Sequence, residues 1–359
     1  MSESILKKTK SKFRAIGIVS EFDLKKKLVD IELKDAKGND EGTERGECIY
    51  GNIAVQTNKG IIEFNVYFRS LSVNPNRNGN HDSQQWTMAK KMLEWTPKIG
   101  GKITYNPDNE DKEEVTIKGG NEPTIVDVQG DISINDYNSN GEVRSNLRWN
   151  INKASSKGNI EDSGCSLSAI GYISSIAPEM SGDEETGRLV VTIYGADSKG
   201  ACFPIKAFVE ADVAEVFTDN FEVGETINAD FDLIPKTVGS VKNEKKPTFG
   251  RKAQIETSTG YSVNELILVG ADPIPEPDEL TYEDEDGNEV EIKTDWINPK
   301  VMKKAIKERQ AMLEELKNNP PTTSKANKSS KSNKFKATKE KAKAQTSFDD
   351  DDDDEELLF

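Results

Sequence analysis

Ile62, Phe64, Val66 and Phe68 alternate with Glu63, Asn65, Tyr67 and Arg69. A period of two in apolar residues marks a half-buried strand. The same reading along the chain gives a plan that occurs twice. An apolar strand comes first (13–22, and again 166–176). A strand pair with a short turn follows (48–57 with 61–69, and 189–196 with 201–208). A short helical segment comes next (84–95, and 211–217). A strand then opens after a glycine (101–105, and 225–233). A closing strand ends each unit. In the first unit it is either 114–118 or 124–134, and in the second it is 263–269.

Short sequence matches support a duplication. Ala15-Ile16-Gly17 recurs as Ala169-Ile170-Gly171, and Ile49-Tyr50-Gly51 as Ile193-Tyr194-Gly195. Lys59-Gly60 recurs as Lys199-Gly200, and Ile99 to Ile103 resembles Val223 to Ile227. Three strands, a helix and two more strands is the order of an OB-fold, a five-stranded barrel. A further hairpin is predicted within 121–163, with Asn138-Ser139-Asn140-Gly141 as its turn. It either completes the first barrel or sits between the two.

The expected fold is therefore all-β dominant. It has two tandem OB-fold-like barrels, a C-terminal helix and a disordered tail. Residues 1–12 read as a flexible basic N-terminus, 13–163 as the first barrel with its extra hairpin, and 164–271 as the second. Residues 272–319 read as an acidic segment plus helix. Asn298 is the expected helix cap and Pro299 the first helical position, with Val301, Ala305, Met312, Leu313 and Leu316 on the packed side.

Composition sharpens this picture. The chain has 359 residues, 34% hydrophobic and 31% charged, with a mean hydropathy of -0.70. Part of it should stay unpacked. No stretch approaches a membrane helix of about 20 apolar residues. The N-terminus has no apolar core, so a secretory signal is not expected. Three widely spaced cysteines fit a reducing compartment, and the expected location is the cytoplasm. The single histidine, His81, sits in a loop sequence. No P-loop, GxSxG or HExxH motif is present. No enzyme activity, cofactor or metal site is expected.

The net charge of -16 is divided into blocks. Residues 272–295 hold 11 acids against Lys293, residues 321–343 hold eight lysines against Glu340, and residues 344–359 hold eight acids and no base. The linker 320–346 is too polar to fold. The tail 347–359 runs through Asp349, Asp350, Asp351, Asp352, Asp353, Asp354, Glu355 and Glu356 to Leu357, Leu358 and Phe359. An acidic run alone reads as a solvating extension. Three large apolar residues at its end favour a ligand, with the acids steering it to a basic surface and the tip filling a pocket.

Candidate binding residues follow from strand alternation. With Ile49 and Ile193 inward, Tyr50 and Tyr194 face out, and Tyr67 and Arg69 lie on the outer face of the next strand. Exposed aromatics beside cations suit base stacking and phosphate contact, although aromatics are also common in strands for packing. Phe203 and Lys206 are weaker candidates, because Pro204 interrupts the alternation. Between the last two strands of the second unit, Lys242, Lys245, Lys246, Phe249, Arg251 and Lys252 form a basic loop suited to clamping a strand. The bland alternative is a solvated loop.

Tandem OB-like barrels, a Lys-rich linker and an acidic tail with an apolar tip resemble bacteriophage-type single-stranded DNA-binding proteins. Here the tail ends Glu-Glu-Leu-Leu-Phe, whereas the bacterial type carries a Pro before its final Phe. The resemblance implies a sequence-nonspecific protein that coats single-stranded DNA in replication, recombination and repair. It implies replication partners (polymerase, helicase or primase, recombinase) reached through the tail, and association between copies. A DNA-mimicking acidic interaction module and a virion structural protein are the alternatives. A mimic needs neither exposed tyrosines nor a basic loop, and a virion protein does not account for the tail.

Overall fold

The computed structural model describes residues 6–318 except 140, 157–158, 198–199, 239–241, 245–254, 258–260, 279–280, 284–288 and 292–293. The first barrel starts with β1 (Ser11–Lys34), β2 (Asp40–Gln56) and β3 (Ile61–Arg69), followed by α1 (Trp86–Met92). Next come β4 (Gly100–Tyr105), β5 (Glu113–Lys118), β6 (Ile125–Ser139) and β7 (Glu142–Ser155). The second barrel contains β8 (Gly164–Ser181), β9 (Glu184–Ala196), β10 (Cys202–Val209), α2 (Ala214–Asn220), β11 (Thr226–Val238) and β14 (Tyr261–Ile274). Short ladders β12 (Lys242–Glu244) with β13 (Ile255–Thr257), and β15 (Thr281–Glu283) with β16 (Glu289–Glu291), precede α3 (Pro299–Asn318). Among the described residues no helix is long and apolar enough to cross a membrane.

Both barrels close in the same way. In the second, β8 pairs antiparallel with β9 and β11, and β10 runs parallel to β14 at Phe208–Ile267. In the first, β1 pairs antiparallel with β2 and β6, and β3 runs parallel to β7 at Asn65–Asn150. This is OB-like closure, with the third and last strands joined in parallel. The hairpin within 121–163 therefore completes the first barrel as β6–β7. The pair that follows the glycines at 100–101 is the insertion: β4 lies parallel to the outer half of β1, and β5 pairs only with β4. The likeness of Ile99–Ile103 to Val223–Ile227 is thus not a structural equivalence. A glycine before a strand occurs in both places, but only β11 occupies the fourth barrel position.

The first strands carry their own signal for bending. In β1 the inward residues are Phe13, Ala15 and Val19, then Phe22 and Leu24. The switch from odd to even coincides with the bulge between Val19 and Glu21. β8 repeats this, with Leu167, Ala169 and Ile173 giving way to Ile176 across the bulge between Ile173 and Ser175. An extra residue flips the alternation, so one strand can serve two parts of a curved sheet. The recurring glycine lies nearby. A Cβ on Gly17 would come within 2.3 Å of the Gln56 carbonyl oxygen, and one on Gly171 within 2.3 Å of the Ile193 Cγ2. The Ala-Ile-Gly recurrence therefore marks a true equivalence.

β1 and β8 also pair with each other, from Ser11–Ala169 to Ile16–Gly164, through Phe13–Leu167. Phe13 and Leu167 hold the same place in their barrels, so the ladder is symmetric about that pair. The barrels are joined by a local two-fold. In the first core Phe13 stacks on Phe64 at 5.1 Å and meets Trp149 edge-on at 5.4 Å. Fully burying side chains of this size contributes roughly 1.5–3 kcal/mol each.

α3 begins as expected, with the Asn298 side chain accepting the Lys300 amide at 2.9 Å. Its packed stripe differs from the one read off the sequence. Met302 and Arg309 are buried, Ala305 and Ile306 pack beside them, and Met312 is 47% exposed. Apolar spacing could not reveal a stripe in which one of the two buried members is an arginine. Arg309 forms two 2.7 Å hydrogen bonds to Asp136 of β6, and Asn138 donates to the Leu316 carbonyl. The helix covers Ile170, Tyr172 and Cys202 of the second barrel and is tied to the β6–β7 hairpin of the first. The three cysteines are free and buried, and burial pushes Cys165 up to about 12 and Cys202 to about 11.

Candidate nucleic-acid interface

β1, β2 and β3 place two rows of side chains on the outer face of the first barrel. One row is Lys25, Tyr50 and Tyr67, and the next is Lys27, Cys48 and Arg69. The Lys25 and Lys27 ammonium groups stand 5.9 and 5.3 Å from the Tyr50 ring centre, within cation–π range. Lys27 also donates to Asp108 at 2.7 Å, and that bond raises its pKa. Burial raises the pKa of Tyr50, which is partly covered by these neighbours. Tyr67 is 62% exposed, Cys48 in the neighbouring row is fully buried, and burial raises the pKa of both groups. An aromatic ring this exposed on a strand, beside a second tyrosine and three cations, has the chemistry that stacking on a planar ligand requires. A depression of about 410 Å³ continues from Tyr67 and Arg69 to Ser83 and Gln85.

The matching face of the second barrel is chemically different. The ladder registers place Arg188 where the first barrel has Tyr50, and Glu210 where it has Tyr67. Arg188 is held by Glu210 at 3.4 Å, Glu179 at 3.5 Å and Glu265 at 3.6 Å. Its guanidinium carbon lies 4.6 Å from the Phe208 ring centre. Three carboxylates around one cation leave this patch acidic, and the Arg188 guanidinium lies over its half-buried ring, Phe208.

The expected pairing of Tyr50 with Tyr194 does not hold. Tyr194 lies opposite Tyr172 and Pro204, the place of Gln56 in the first barrel. It packs among the residues covered by α3, and burial raises its pKa. The Ile-Tyr-Gly match is six positions out of register. Phe203 is a core residue, 1% exposed, because the ladder turns it inward beside Pro204. Lys206 is exposed on the outer face, its ammonium 5.8 Å from the Phe208 ring. Lys25 and Lys27 were missed, although the alternation that exposes Tyr67 places them on the same side. Lys242 opens β12; Lys245, Lys246, Phe249, Arg251 and Lys252 lie outside the described residues, as do the linker and the tail.

A second concavity, of about 770 Å³, lies where the barrels meet. Its floor is the start of β1 and the facing part of β8, and its walls come from β6–β7 and from β11 and β14.

Among solved structures, the chain is similar to the wild-type single-stranded DNA binding protein from Thermus aquaticus, at 10% identity and a TM-score of 0.38, covering 76% of this chain and 96% of that one. A deletion mutant of the same Thermus aquaticus protein matches at 11% identity and a TM-score of 0.34, over 76% of this chain and 99% of that one. No curated protein matches in sequence. The sequence profile of the YorF family matches residues 20–319, well over half of the chain, and the chain accordingly belongs to the YorF family.

Proposed function

We propose that the protein binds single-stranded DNA without base specificity, on the outer face of the first barrel. The observation that carries this reading is the exposed Tyr67 ring beside Tyr50, set among Lys25, Lys27 and Arg69. Stacking on a ring accepts any base, and flanking cations neutralise phosphates. The barrel topology is compatible with it, since OB barrels bind oligonucleotides on their second and third strands.

In this reading the protein coats and protects single strands during replication, recombination or repair. The basic loop from Lys242 to Lys252 adds phosphate contacts from the second barrel. The tail from Asp349 to Phe359 recruits a replication partner, the acids giving attraction and the Leu357-Leu358-Phe359 tip giving the pocket contact. Changing Phe359 to Ala should abolish that recruitment and leave DNA affinity unchanged; a retained partner would reduce the tail to a solubilising extension.

The direct test is fluorescence anisotropy of labelled oligo-dT and of a duplex of equal length, at two salt concentrations. Intrinsic fluorescence is a poorer probe, because Trp95 and Trp149 are buried. Tighter binding of the single strand, weakening as salt rises, is expected. Equal affinity for duplex, or no binding at low salt, would overturn the reading in favour of an acidic interaction module.

A further inference from the structure

The groove between the barrels carries a charge asymmetry that the fold does not require. Its floor is the symmetric β1–β8 ladder, in which Lys12 faces Ser168 and Arg14 faces Ser166. Because that ladder is two-fold about Phe13 and Leu167, Lys12 and Ser166 are equivalent positions, as are Arg14 and Ser168. Serines serve as well as cations in the same ladder, so backbone pairing does not explain the cations.

The walls repeat the contrast. Lys153 of β7 and Asn152 beside it line the first-barrel side, whereas the second barrel offers Val269 with Asp230 and Asp232, the latter neutralised by Lys59 at 2.6 Å, so a strand's phosphates are drawn to the first-barrel side of the groove. Lys8 and Lys10 extend the basic side toward the N-terminus. Lys8 meets Asp131 at 3.3 Å and Lys10 meets Asp295, pairs with well-exposed ammonium groups that exchange readily for phosphate. Arg14 is held by Asp127 at 2.7 Å, whereas Lys12 and Lys153 form no salt bridge within 4.0 Å among the described residues, although Lys153 lies near enough to Asp127 to lower its pKa. A cleft with low-dielectric walls concentrates the field of such a row.

The groove also connects with the tyrosine face. Gln85 lines the depression beside Tyr67, and its side-chain amide donates at 2.9 Å to the carbonyl of Asn152, which lines the groove. An extended chain leaving Tyr67 would pass that contact and meet Lys153 and Lys12.

The geometry points to a second nucleic-acid subsite: the inter-barrel groove is a phosphate track that takes the strand from the first barrel's face toward the second. This rests on the proposed DNA binding and adds a route to it. A site confined to one barrel should saturate with short oligonucleotides, at about 4–16 nucleotides per OB fold. A continuing track predicts further gain with length.

The experiment compares the full chain with a Lys12→Ser/Lys153→Ser variant on oligo-dT of about 8 and about 30 nucleotides, by anisotropy across a salt series. The expected result is unchanged affinity for the short oligonucleotide and a loss of about tenfold for the long one, with a salt slope shallower by roughly 0.7 for each phosphate left without its cation. The gain-of-charge variant Ser166→Lys should tighten only the long oligonucleotide. If the intact protein binds both lengths and the variants change neither, or change both equally, the track is refuted while the tyrosine face stands. If the intact protein gains nothing from length, the track is refuted as well. If it binds neither oligonucleotide, DNA binding itself is refuted.

Discussion

The two barrels share strand order, parallel closure and even the bulge in the first strand, yet their outer faces are chemically opposed. The first shows Tyr50 and Tyr67 with Lys25, Lys27 and Arg69, and the second shows Arg188 enclosed by Glu179, Glu210 and Glu265. The region around Tyr194 is covered by α3. The core positions that shape a barrel are constrained by packing, whereas outward positions of the same strands are not, so a duplicated fold can keep its frame while one copy keeps a platform and the other a closed, charged surface.

The largest expected difference is in DNA affinity. Replacing Tyr50 and Tyr67 together with Ala removes two stacking surfaces, each contributing about 1–3 kcal/mol per stacked base. Affinity for oligo-dT should fall by at least about 30-fold, with unfolding transitions little changed. Arg188→Ala in the second barrel should leave affinity within about threefold. If the arginine variant lost as much as the tyrosine pair, the functional contrast between the faces would be wrong.

The next effect is on stability and concerns what covers the second barrel. The Arg309 and Asp136 side chains are only 6% and 10% exposed. Removing one partner of a buried pair leaves an uncompensated charge and costs about 3–5 kcal/mol. Arg309→Ala should lower urea-unfolding stability by about that amount. Arg309→Met combined with Asp136→Leu should recover most of it, because apolar replacements of similar size remove both charges together. An unchanged midpoint for Arg309→Ala would mean that α3 is not fastened to the β6–β7 hairpin.

A smaller change is expected from the basic loop. Serine in place of Lys242, Lys245, Lys246, Arg251 and Lys252 should shallow the salt slope by about 0.7 for each phosphate no longer neutralised, without shifting Tm. An unchanged slope would leave the second barrel with no part in binding beyond the shared groove.

Much of the frame was legible in the chain. Period-two alternation located β3, and Ala-Ile-Gly marked the bent first strands, because a glycine is needed where a neighbouring strand crosses closely. Ile-Tyr-Gly misled because a core isoleucine, an outward aromatic and a glycine suit many strand positions, so three residues do not fix register. The β4–β5 insertion was hidden for a similar reason: only pairing with β1 distinguishes it from the fourth strand. The candidate site was half legible. Tyr50, Tyr67 and Arg69 followed from alternation within two strands, but the loss of the equivalent face could not be seen, since Glu179, Glu210 and Glu265 converge on Arg188 from separate strands and a loop.

The smallest expected effect concerns the arm of the first barrel, which the second lacks. β1 and β2 run out to Lys34 and Asp40, while β8 and β9 turn back tightly at Gly182. The longer arm is fastened by His81, whose Nε2 lies 2.9 Å from Glu41 and whose Nδ1 lies 2.9 Å from the Ser72 carbonyl oxygen. The hydrogen bond with Glu41 raises the His81 pKa above its ordinary value, with the Ser72 carbonyl adding to it. A raised folded pKa means that the contribution is fully present below about 6.5, the unfolded value, and is lost as pH rises through the folded pKa. The Tm difference between the intact protein and His81→Ala should therefore be widest near pH 6 and narrow toward pH 8. Because His81 is the only histidine, its ring protons give one titration curve in NMR, with a midpoint expected above 6.5. A midpoint at or below that value would show the clasp open in solution, and the arm would then be held by its own ladder, by β4 and by backbone bonds such as that from the Lys34 amide to the Val73 carbonyl.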